Sequence, residues 1–169
     1  MSDLAAPYQR TGTLAGTCLC NGVRIRVDGD YVAAVGVCHC RKCRVWSGTI
    51  TGYFLAKPDA VHVEGPTKSY ASTPFASRTF CEVCGTNLWL RNNGEDDEYE
   101  LMPALFIEAD SFPVISEIYC DRAPAYGQLK GDHKRATQAQ YEANNPFVEG
   151  DTTKKTLSLH ILNQNHQLE

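Results

Sequence analysis

Seven of the eight cysteines lie in three short groups, and their thiols are the side chains of this sequence best suited to chemistry. The groups are Cys18/Cys20, Cys38/Cys40/Cys43 and Cys81/Cys84. Cysteine thiolates at such spacings are common zinc ligands, and four of them close a tetrahedral site. Three thiolates instead leave a coordination position for water or a substrate thiol. The segment 38–43 therefore has the pattern of a catalytic metal site rather than a structural one.

The grouped thiols divide most simply into two metal sites. Joining the two pairs gives one closed four-sulfur site and leaves the triplet by itself. A single site would leave at least three thiols without a metal, so we expect two zinc ions per chain. Cys120 could supply a fourth ligand to the triplet, but it lies in no ligand-spaced motif, and a small buried hydrophobe is the commonest role of such a cysteine.

The residues within and after the triplet carry positive charge and an imidazole. Arg41, Lys42 and Arg44 could attract an anionic thiol substrate, or they could only offset thiolate charge in a solvated basic loop. His39 lies between two of the cysteines, where an extended backbone would point its ring away from the metal. A supporting role for His39 is therefore favoured, and proton transfer stays open as the alternative.

Composition and charge limit the classes of function. The 169 residues suffice for one domain with its own core, and they carry a net charge of -4 with a mean hydropathy of -0.33. The basic surplus that nonspecific nucleic-acid binding needs is missing, and no apolar run approaches the roughly 18 residues of a membrane span. The first residues show no signal-peptide pattern. We therefore expect a cytoplasmic protein without nucleic-acid or membrane partners, in which closely spaced thiols bind metal rather than form disulfides.

The patterns beside the cysteine pairs predict turns between strands. Cys18 and Cys20 are followed by Asn21-Gly22, which is typical of a tight hairpin turn because both residues accept positive φ. The segment 81–85, Cys-x-x-Cys-Gly, is a zinc-knuckle pattern, in which backbone N–H groups hydrogen-bond to sulfur and the glycine supplies an unusual dihedral angle. The strands that place the three cysteine groups are predicted at 11–17, 23–27, 32–37, 77–80 and 87–91.

The remaining periodicity predicts a mainly β fold. Further strands are expected at 49–56, 61–65, 68–71, 99–109 and 114–119. The polar region 133–145 could form one short surface helix. The alternating tail at 157–162 could add an edge strand or contact a partner, although core packing is the commoner role of such a segment. Four aromatic residues could wall a pocket beside the triplet, although aromatic residues on strands are more often core: Trp46, Tyr53, Phe54 and Trp89.

Three cysteine motifs follow one another in a distinctive order. They occupy segments 16–23, 38–43 and 78–88, with a weaker echo at Glu117-Ile118-Tyr119. In these motifs the sequence resembles the glutathione-dependent formaldehyde-activating enzyme family, also called the CENP-V/GFA domain family, over roughly residues 11–126. The resemblance implies an Mss4-like fold of antiparallel sheets with zinc-binding hairpins. We expect a flexible leader at 1–10, a zinc domain at 11–130, and a C-terminal extension at 131–169 packed on the same domain.

The resemblance also implies a role for each cysteine group and a reaction. The structural zinc would be held by Cys18, Cys20, Cys81 and Cys84, and the catalytic zinc by Cys38, Cys40 and Cys43. The implied substrates are glutathione and formaldehyde, which a carbon-sulfur lyase of this family joins as S-(hydroxymethyl)glutathione. In such a site, a thiol that enters the open position would lose its proton and add to the aldehyde carbon.

Two alternatives to this reaction stay open. The domain could be a non-enzymatic zinc-binding scaffold, if the triplet recruits a fourth protein ligand. It could also be a zinc enzyme of the same family that acts on a different sulfur-containing metabolite. The cysteine motifs identify metal sites, whereas no motif in the sequence identifies residues that would recognise the two carboxylates of glutathione.

Overall fold

Eleven β-strands and two short α-helices make up the computed structural model, which describes residues 4–148. The strands are β1 (Gln9–Thr17), β2 (Arg24–Val32), β3 (Val35–Cys38), β4 (Thr51–Ala56), β5 (Val61–Glu64), β6 (Thr67–Ala71), β7 (Ala76–Cys81), β8 (Asn87–Asn92), β9 (Tyr99–Leu101), β10 (Val114–Ile118) and β11 (Lys134–Ala136). The helices are α1 (Arg41–Ser47) and α2 (Gln138–Asn144). The mainly β fold predicted from the sequence is confirmed. None of the helices described is long and apolar enough to cross a membrane.

The first hairpin shows how the alternating sequence produces the fold. β1 and β2 pair antiparallel along their whole length, with Leu14 opposite Val27. Successive side chains of a strand point to opposite faces, so Ile25 and Val27 enter the core while Arg24 and Arg26 face solvent. This register fixes the position of the turn between the two strands, in which the first cysteine pair lies.

β4 is the junction of the sheet because it pairs with three other strands. Thr51 lies opposite Cys38 of β3, Phe54 lies opposite Leu101 of β9, and the end of β4 contacts β2. The main path of the sheet runs β11-β10-β3-β4-β9-β8-β7-β6. Among the described strands, β10 runs parallel to both β3 and β11 and the other pairs are antiparallel, so the sheet is mixed.

The cysteine groups belong to different clusters of the core. Phe54 is fully buried in the larger cluster, which also contains Cys18 and Cys81. Cys38 and Cys43 belong to a smaller cluster on the other part of the sheet path, around β3 and β10. The two groups are therefore packed by different sets of apolar side chains.

The strand predicted at 99–109 is shorter than expected. β9 ends at Leu101, and two short 3-10 helices follow at Pro103–Leu105 and Ile107–Ser111. Pro103 has no backbone N–H and cannot continue a hydrogen-bonded ladder, which explains why the strand stops before it.

Two other predicted segments are divided in the structure. A bend at 33–34 splits the strand predicted at 32–37, so that β3 begins at Val35. The region 133–145, in which one short surface helix was expected, forms β11 followed by that helix, α2. Thr137 begins α2 with a capping box, since its hydroxyl accepts the backbone N–H of Gln140 and the Gln140 side chain accepts the backbone N–H of Thr137.

The two ends of the chain were predicted as a leader and an extension. Within the predicted leader 1–10, residues Ala6–Tyr8 form a 3-10 helix, and Ala5 packs with Val32 and Ala34. The strand predicted at 157–162 lies outside the described residues.

Candidate metal centres and active site

Four cysteine sulfurs meet where the tips of two β-hairpins approach each other. Their Sγ atoms all lie within 4.8 Å of one another. The Sγ of Cys20 is 3.5 Å from that of Cys18 and 3.8 Å from that of Cys81. The structure thus brings together the four residues predicted for one site, Cys18, Cys20, Cys81 and Cys84. This four-cysteine cluster could hold a metal ion.

The backbone of both tips is shaped around the sulfurs. Asn21 and Gly85 have positive φ angles of 58° and 73°, which the two tight turns require. The backbone N–H of Val23 donates to the Sγ of Cys18 at 3.2 Å. Hydrogen bonds of this kind orient a sulfur and stabilise its negative charge.

Thr86 joins the two tips. Its Oγ1 accepts the backbone N–H of Leu19 at 3.2 Å and lies 3.1 Å from the Sγ of Cys84. Hydrogen bonds with Thr86 lower the pKa of Cys84 to about 5. Cys84 is therefore ionised at neutral pH, and the thiolate is the form that binds a metal.

The other three grouped cysteines converge where β3 ends and α1 begins. Cys38 is the last residue of β3, Cys40 caps α1, and Cys43 lies in its first turn. Their Sγ atoms all lie within 4.8 Å of one another. This triplet cluster could also hold a metal ion, with one sulfur fewer than the four-cysteine cluster.

The segment 41–47, predicted as a basic loop, is a helix because its ends are capped. The Sγ of Cys40 accepts the backbone N–H of Cys43 at 3.4 Å and so acts as an N-cap acceptor. Gly48 ends the helix with a left-handed φ of 76°. The helix thus holds two of the three cysteines at a fixed separation.

Arg78 is a site residue at the start of the third cysteine motif, 78–88, and the motif predicted no role for it. It is only 5% exposed, and its Nη2 donates to the Sγ of Cys43 at 3.2 Å. Its guanidinium also bonds to the hydroxyl of Ser72 and lies over the Trp46 ring, 5.5 Å from the centroid. Within residues 4–148 its Nε has no hydrogen-bond partner. The sequence contained one sign that Arg78 is buried: it lies two residues after the buried Ala76 on the same strand, so both side chains point to the same face.

The triplet cluster holds its charge unevenly. Hydrogen bonds from Cys38 and Cys43 lower the pKa of Cys40, and the positive charge of Arg78 acts in the same direction. Hydrogen bonding with Cys40 raises the pKa of Cys38. The surrounding side chains therefore favour one negative charge on the sulfur of Cys40, near the buried guanidinium of Arg78.

His39 points away from the cysteines that flank it. Its Nε2 lies 2.6 Å from Oε1 of the buried Glu117 in β10, and since a carboxylate only accepts, Nε2 carries the proton. The other oxygen of Glu117 accepts from His133 Nε2 at 2.8 Å and from Arg135 Nε at 3.0 Å. Among the described residues, His39 Nδ1 has no hydrogen-bond partner. His133, which sequence reasoning left unassigned, thus joins β10 to the C-terminal segment.

A cavity of about 130 Å³ opens beside the triplet cluster. This volume has room for several waters or for the reactive end of a small molecule. Its side chains come from β3, β4, β7, β8, β9, β10 and both helices, and include Cys40, Cys43, Tyr53, Arg78, Glu100 and Tyr141. The triplet is thus accessible from one side, whereas its other side packs in the core.

The residues predicted around the triplet divide between this cavity and the core. Tyr53 and Lys42 line the cavity. Phe54 lies in the core, and Trp89 packs on Tyr99 with ring centroids 5.5 Å apart. Arg44 donates from Nε to the backbone oxygen of His39 at 2.9 Å, so its charge is directed to the protein. Cys120 belongs to neither cysteine cluster.

Glu100 is a second cavity residue that sequence reasoning missed. In the paired strands, Arg78 lies opposite Leu90, and Leu90 lies opposite Glu100. Directly opposite residues share one face of a sheet, and all three line the cavity. Burial raises the pKa of Glu100 to about 7. In the sequence, Glu100 alternates with the buried Leu101 and therefore has the pattern of a solvent-facing residue.

The mainly β fold and the two cysteine clusters define a class of protein that could bind metal through thiolates. The model of the glutathione-dependent formaldehyde-activating enzyme family matches residues 13–122. The chain belongs to this family. The matched residues include both cysteine clusters, Arg78 and Glu100.

Two other proteins are similar to part of this chain. An uncharacterised lyase of Schizosaccharomyces pombe is 26% identical over 110 residues, which are 64% of this chain and 80% of the relative. A Rhodobacter sphaeroides protein of known crystal structure is 23% identical and covers 60% of this chain and 99% of its own, with a TM-score of 0.46. Family membership and the lyase name of the first relative support an enzyme with a possible metal site.

Proposed function

We propose that both cysteine clusters bind zinc, giving two ions per chain. A Zn–S distance of about 2.3 Å with tetrahedral angles places neighbouring sulfurs about 3.8 Å apart. The 3.5 and 3.8 Å separations of Cys20 from Cys18 and Cys81 fit this geometry. Cys18, Cys20, Cys81 and Cys84 would form the structural site, and Cys38, Cys40 and Cys43 the catalytic one.

We propose further that the protein is a carbon-sulfur lyase-type enzyme that acts on a thiol/aldehyde adduct. The family description names glutathione and formaldehyde, and the adduct of these two compounds is S-(hydroxymethyl)glutathione. The observation that carries the proposal is the position of a three-sulfur cluster at the wall of a cavity. A cluster with three protein ligands leaves a position for the sulfur of a substrate.

The chain's own residues would bind the thiol, neutralise charge and limit water. When bound, zinc would lower the pKa of a thiol in the cavity and so supply a nucleophile at neutral pH. Arg78 partly offsets the negative charge of the cysteine thiolates, since it already donates to Cys43. Lys42 lines the cavity next to the triplet, where it can attract the carboxylates of glutathione. Tyr53 and Tyr141 enclose the reacting atoms with aromatic surface.

The reaction can be followed by proton NMR exchange between free formaldehyde and its glutathione adduct. The zinc-loaded wild type should accelerate exchange over buffer, and Cys43→Ser should reduce the rate to the buffer value. Cys120→Ser is a matched control, since this cysteine lies outside both clusters, and it should retain the wild-type rate. No acceleration by zinc-loaded wild type would reject the proposed reaction.

The cavity favours an enzyme over the scaffold alternative, because a scaffold needs no access to the triplet. If glutathione fails but another thiol is processed, the protein is a zinc enzyme acting on a different sulfur-containing metabolite.

All eight cysteines are free thiols, which agrees with a reducing compartment such as the cytoplasm. We also propose that the extension 131–169 packs on the zinc domain at 11–130, as Tyr141 does at the cavity.

A further inference from the structure

We propose that Glu100 is the proton-transfer residue of this active site, which moves a proton between the substrate thiol and the oxygen of the aldehyde. The inference rests on the proposed thiol/aldehyde reaction and adds a catalytic residue to it. It follows from the position of a carboxylate in the cavity, and from the positions of the other groups that could carry a proton.

Glu100 is placed by three neighbouring strands. The Arg78–Leu90–Glu100 row crosses β7, β8 and β9 on the face that lines the cavity. Within residues 4–148, Glu100 is the only carboxylate in the cavity wall, and no hydrogen bond or ion pair occupies its side chain. Glu100 is half-buried, and a carboxylate in a cavity wall that has no protein partner is available to a ligand.

The other proton carriers near the triplet are less suitable. His39 is fully buried, and its Nε2 is bound to Glu117 instead of facing the cavity. Burial raises the pKa of Tyr53 well above its ordinary value and that of Tyr141 to about 12, so both stay neutral at physiological pH. A group that never ionises in this range cannot accept the proton of a thiol.

The surroundings of Glu100 suit a group that changes protonation near neutral pH. Burial raises its pKa to about 7, Arg78 opposes this rise, and the charges of Cys40 and Asp97 add to it. The charged and titratable groups that act on Glu100 or share its cavity wall are Arg78, Cys40, Asp97, Tyr53, Tyr141, Tyr119, Lys42, Cys38 and Cys43. Acid-base catalysis is most efficient when the pKa lies near the working pH.

The proposed step conserves protons and electrons. The ionised Glu100 takes the proton of the entering thiol. The sulfur lone pair forms the C–S bond to the carbonyl carbon, and the C=O π electrons move to oxygen. The neutral Glu100 then gives its proton to that oxygen, which produces the hydroxyl of the adduct and restores the carboxylate. Cleavage of the adduct follows the same path in reverse.

The test compares Glu100→Gln with Glu98→Gln. Glu98 lies just before β9 and pairs with Lys57 at 3.2 Å, outside the cavity wall. Zinc content and melting temperature of both variants should match the wild type. At pH 7.5 the adduct exchange rate should fall about 100-fold or more in E100Q, the range of general acid-base catalysis, and stay unchanged in E98Q.

The pH profile separates a catalytic role from a structural one. Because both directions begin with the carboxylate, the wild-type rate should rise as pH increases through about 7. E100Q should lack this rise. Difference infrared spectra of wild type and E100Q should show a carboxylic acid band that disappears over the same pH range.

The outcomes distinguish this inference from the proposed function. If zinc-loaded wild type does not accelerate exchange, the proposed reaction fails and the role of Glu100 fails with it. If wild type accelerates exchange but E100Q keeps the same rate and pH profile, only the role of Glu100 is overturned. Loss of the pH step in E100Q, with zinc content retained, supports both.

Discussion

Arg78 connects the charge of the triplet cluster to the cavity. It is almost fully buried, yet it donates to a cysteine sulfur and stacks on Trp46 instead of pairing with a carboxylate. A buried cation is costly unless a negative charge lies beside it. The triplet thiolate supplies that charge, so the cation and the cluster stabilise each other.

Replacing Arg78 with Met keeps the side-chain size and removes its charge and its bond to Cys43. A nearby cation favours the thiolate, and the thiolate is the ligand form. The pH at which half of the triplet zinc is retained against a chelator should therefore rise by about one unit. Arg91→Met, which removes a guanidinium that stacks on Tyr99 outside the cavity, should keep the wild-type midpoint. Equal midpoints in R78M and wild type would contradict this role.

Glu117 is the buried acceptor that fixes the segment behind the triplet. Burial raises the pKa of Glu117, but hydrogen bonds with His133 and His39 outweigh this effect, and the net pKa lies below the ordinary value of 4.5. A lowered folded-state pKa contributes stability above the unfolded-state pKa, and this contribution is lost as pH falls through the folded-state value.

Glu117→Gln should therefore reduce the free energy of unfolding at pH 7 by about 2–4 kcal/mol, because it removes one partner of a buried network. The difference in free energy of unfolding between this variant and the wild type should become smaller below about pH 4.5. Urea unfolding between pH 7 and pH 4 measures both effects. The exposed Glu108→Gln should stay within about 0.5 kcal/mol of wild type. A difference that is the same at both ends of the pH range would refute the assignment.

At the scale of elements, the four-cysteine cluster joins the tips of two hairpins whose apolar side chains share the larger core cluster. Thr86 supplies a polar link between the same tips. Cys18 and Cys81 also belong to the larger core cluster, so a change at these sulfurs reaches the packing of the sheet. In such a site, the free energy of zinc binding contributes directly to the free energy of folding.

Cys81→Ser should therefore lose one zinc and lower the melting temperature strongly or abolish cooperative unfolding. Cys120→Ser, which changes a half-buried cysteine outside both clusters, should melt like wild type. Thermal unfolding followed by circular dichroism measures the effect. A normal melting curve for C81S would show that the four-cysteine cluster does not hold the fold together.

The elements that sequence patterns predicted best are those determined by local alternation and turns. β2 and the strands around the knuckle follow from period-2 burial, and the positive φ of Gly85 follows from the Cys-x-x-Cys-Gly turn. The pattern did not predict α1, because its N-cap acceptor is a sulfur, or the 3-10 helices after β9.

The cavity residues were missed for a different reason. Arg78 and Glu100 come together only through the register of β7, β8 and β9, and a single-strand pattern contains no register. The contact between His39 and Glu117 depends likewise on the parallel pairing of β3 with β10. The cysteine clusters could be predicted because metal-ligand spacing is local, whereas the groups that tune them come from distant strands.

At the scale of the whole molecule, the two cysteine clusters are separate in packing and in access. The four-cysteine cluster shares the larger core, and the triplet cluster lies between a small core and the cavity. A change in the triplet should therefore remove activity while most of the fold stays intact. A change at the hairpin tips should instead destabilise the whole fold.

The central claim is that one closed and one open zinc site share this chain. Zinc per chain, measured on purified wild type and Cys43→Ser by elemental analysis, tests it most directly. We expect a value near two in wild type that falls to near one in C43S, with circular dichroism and melting close to wild type. A value near one in both proteins would contradict the presence of two zinc sites.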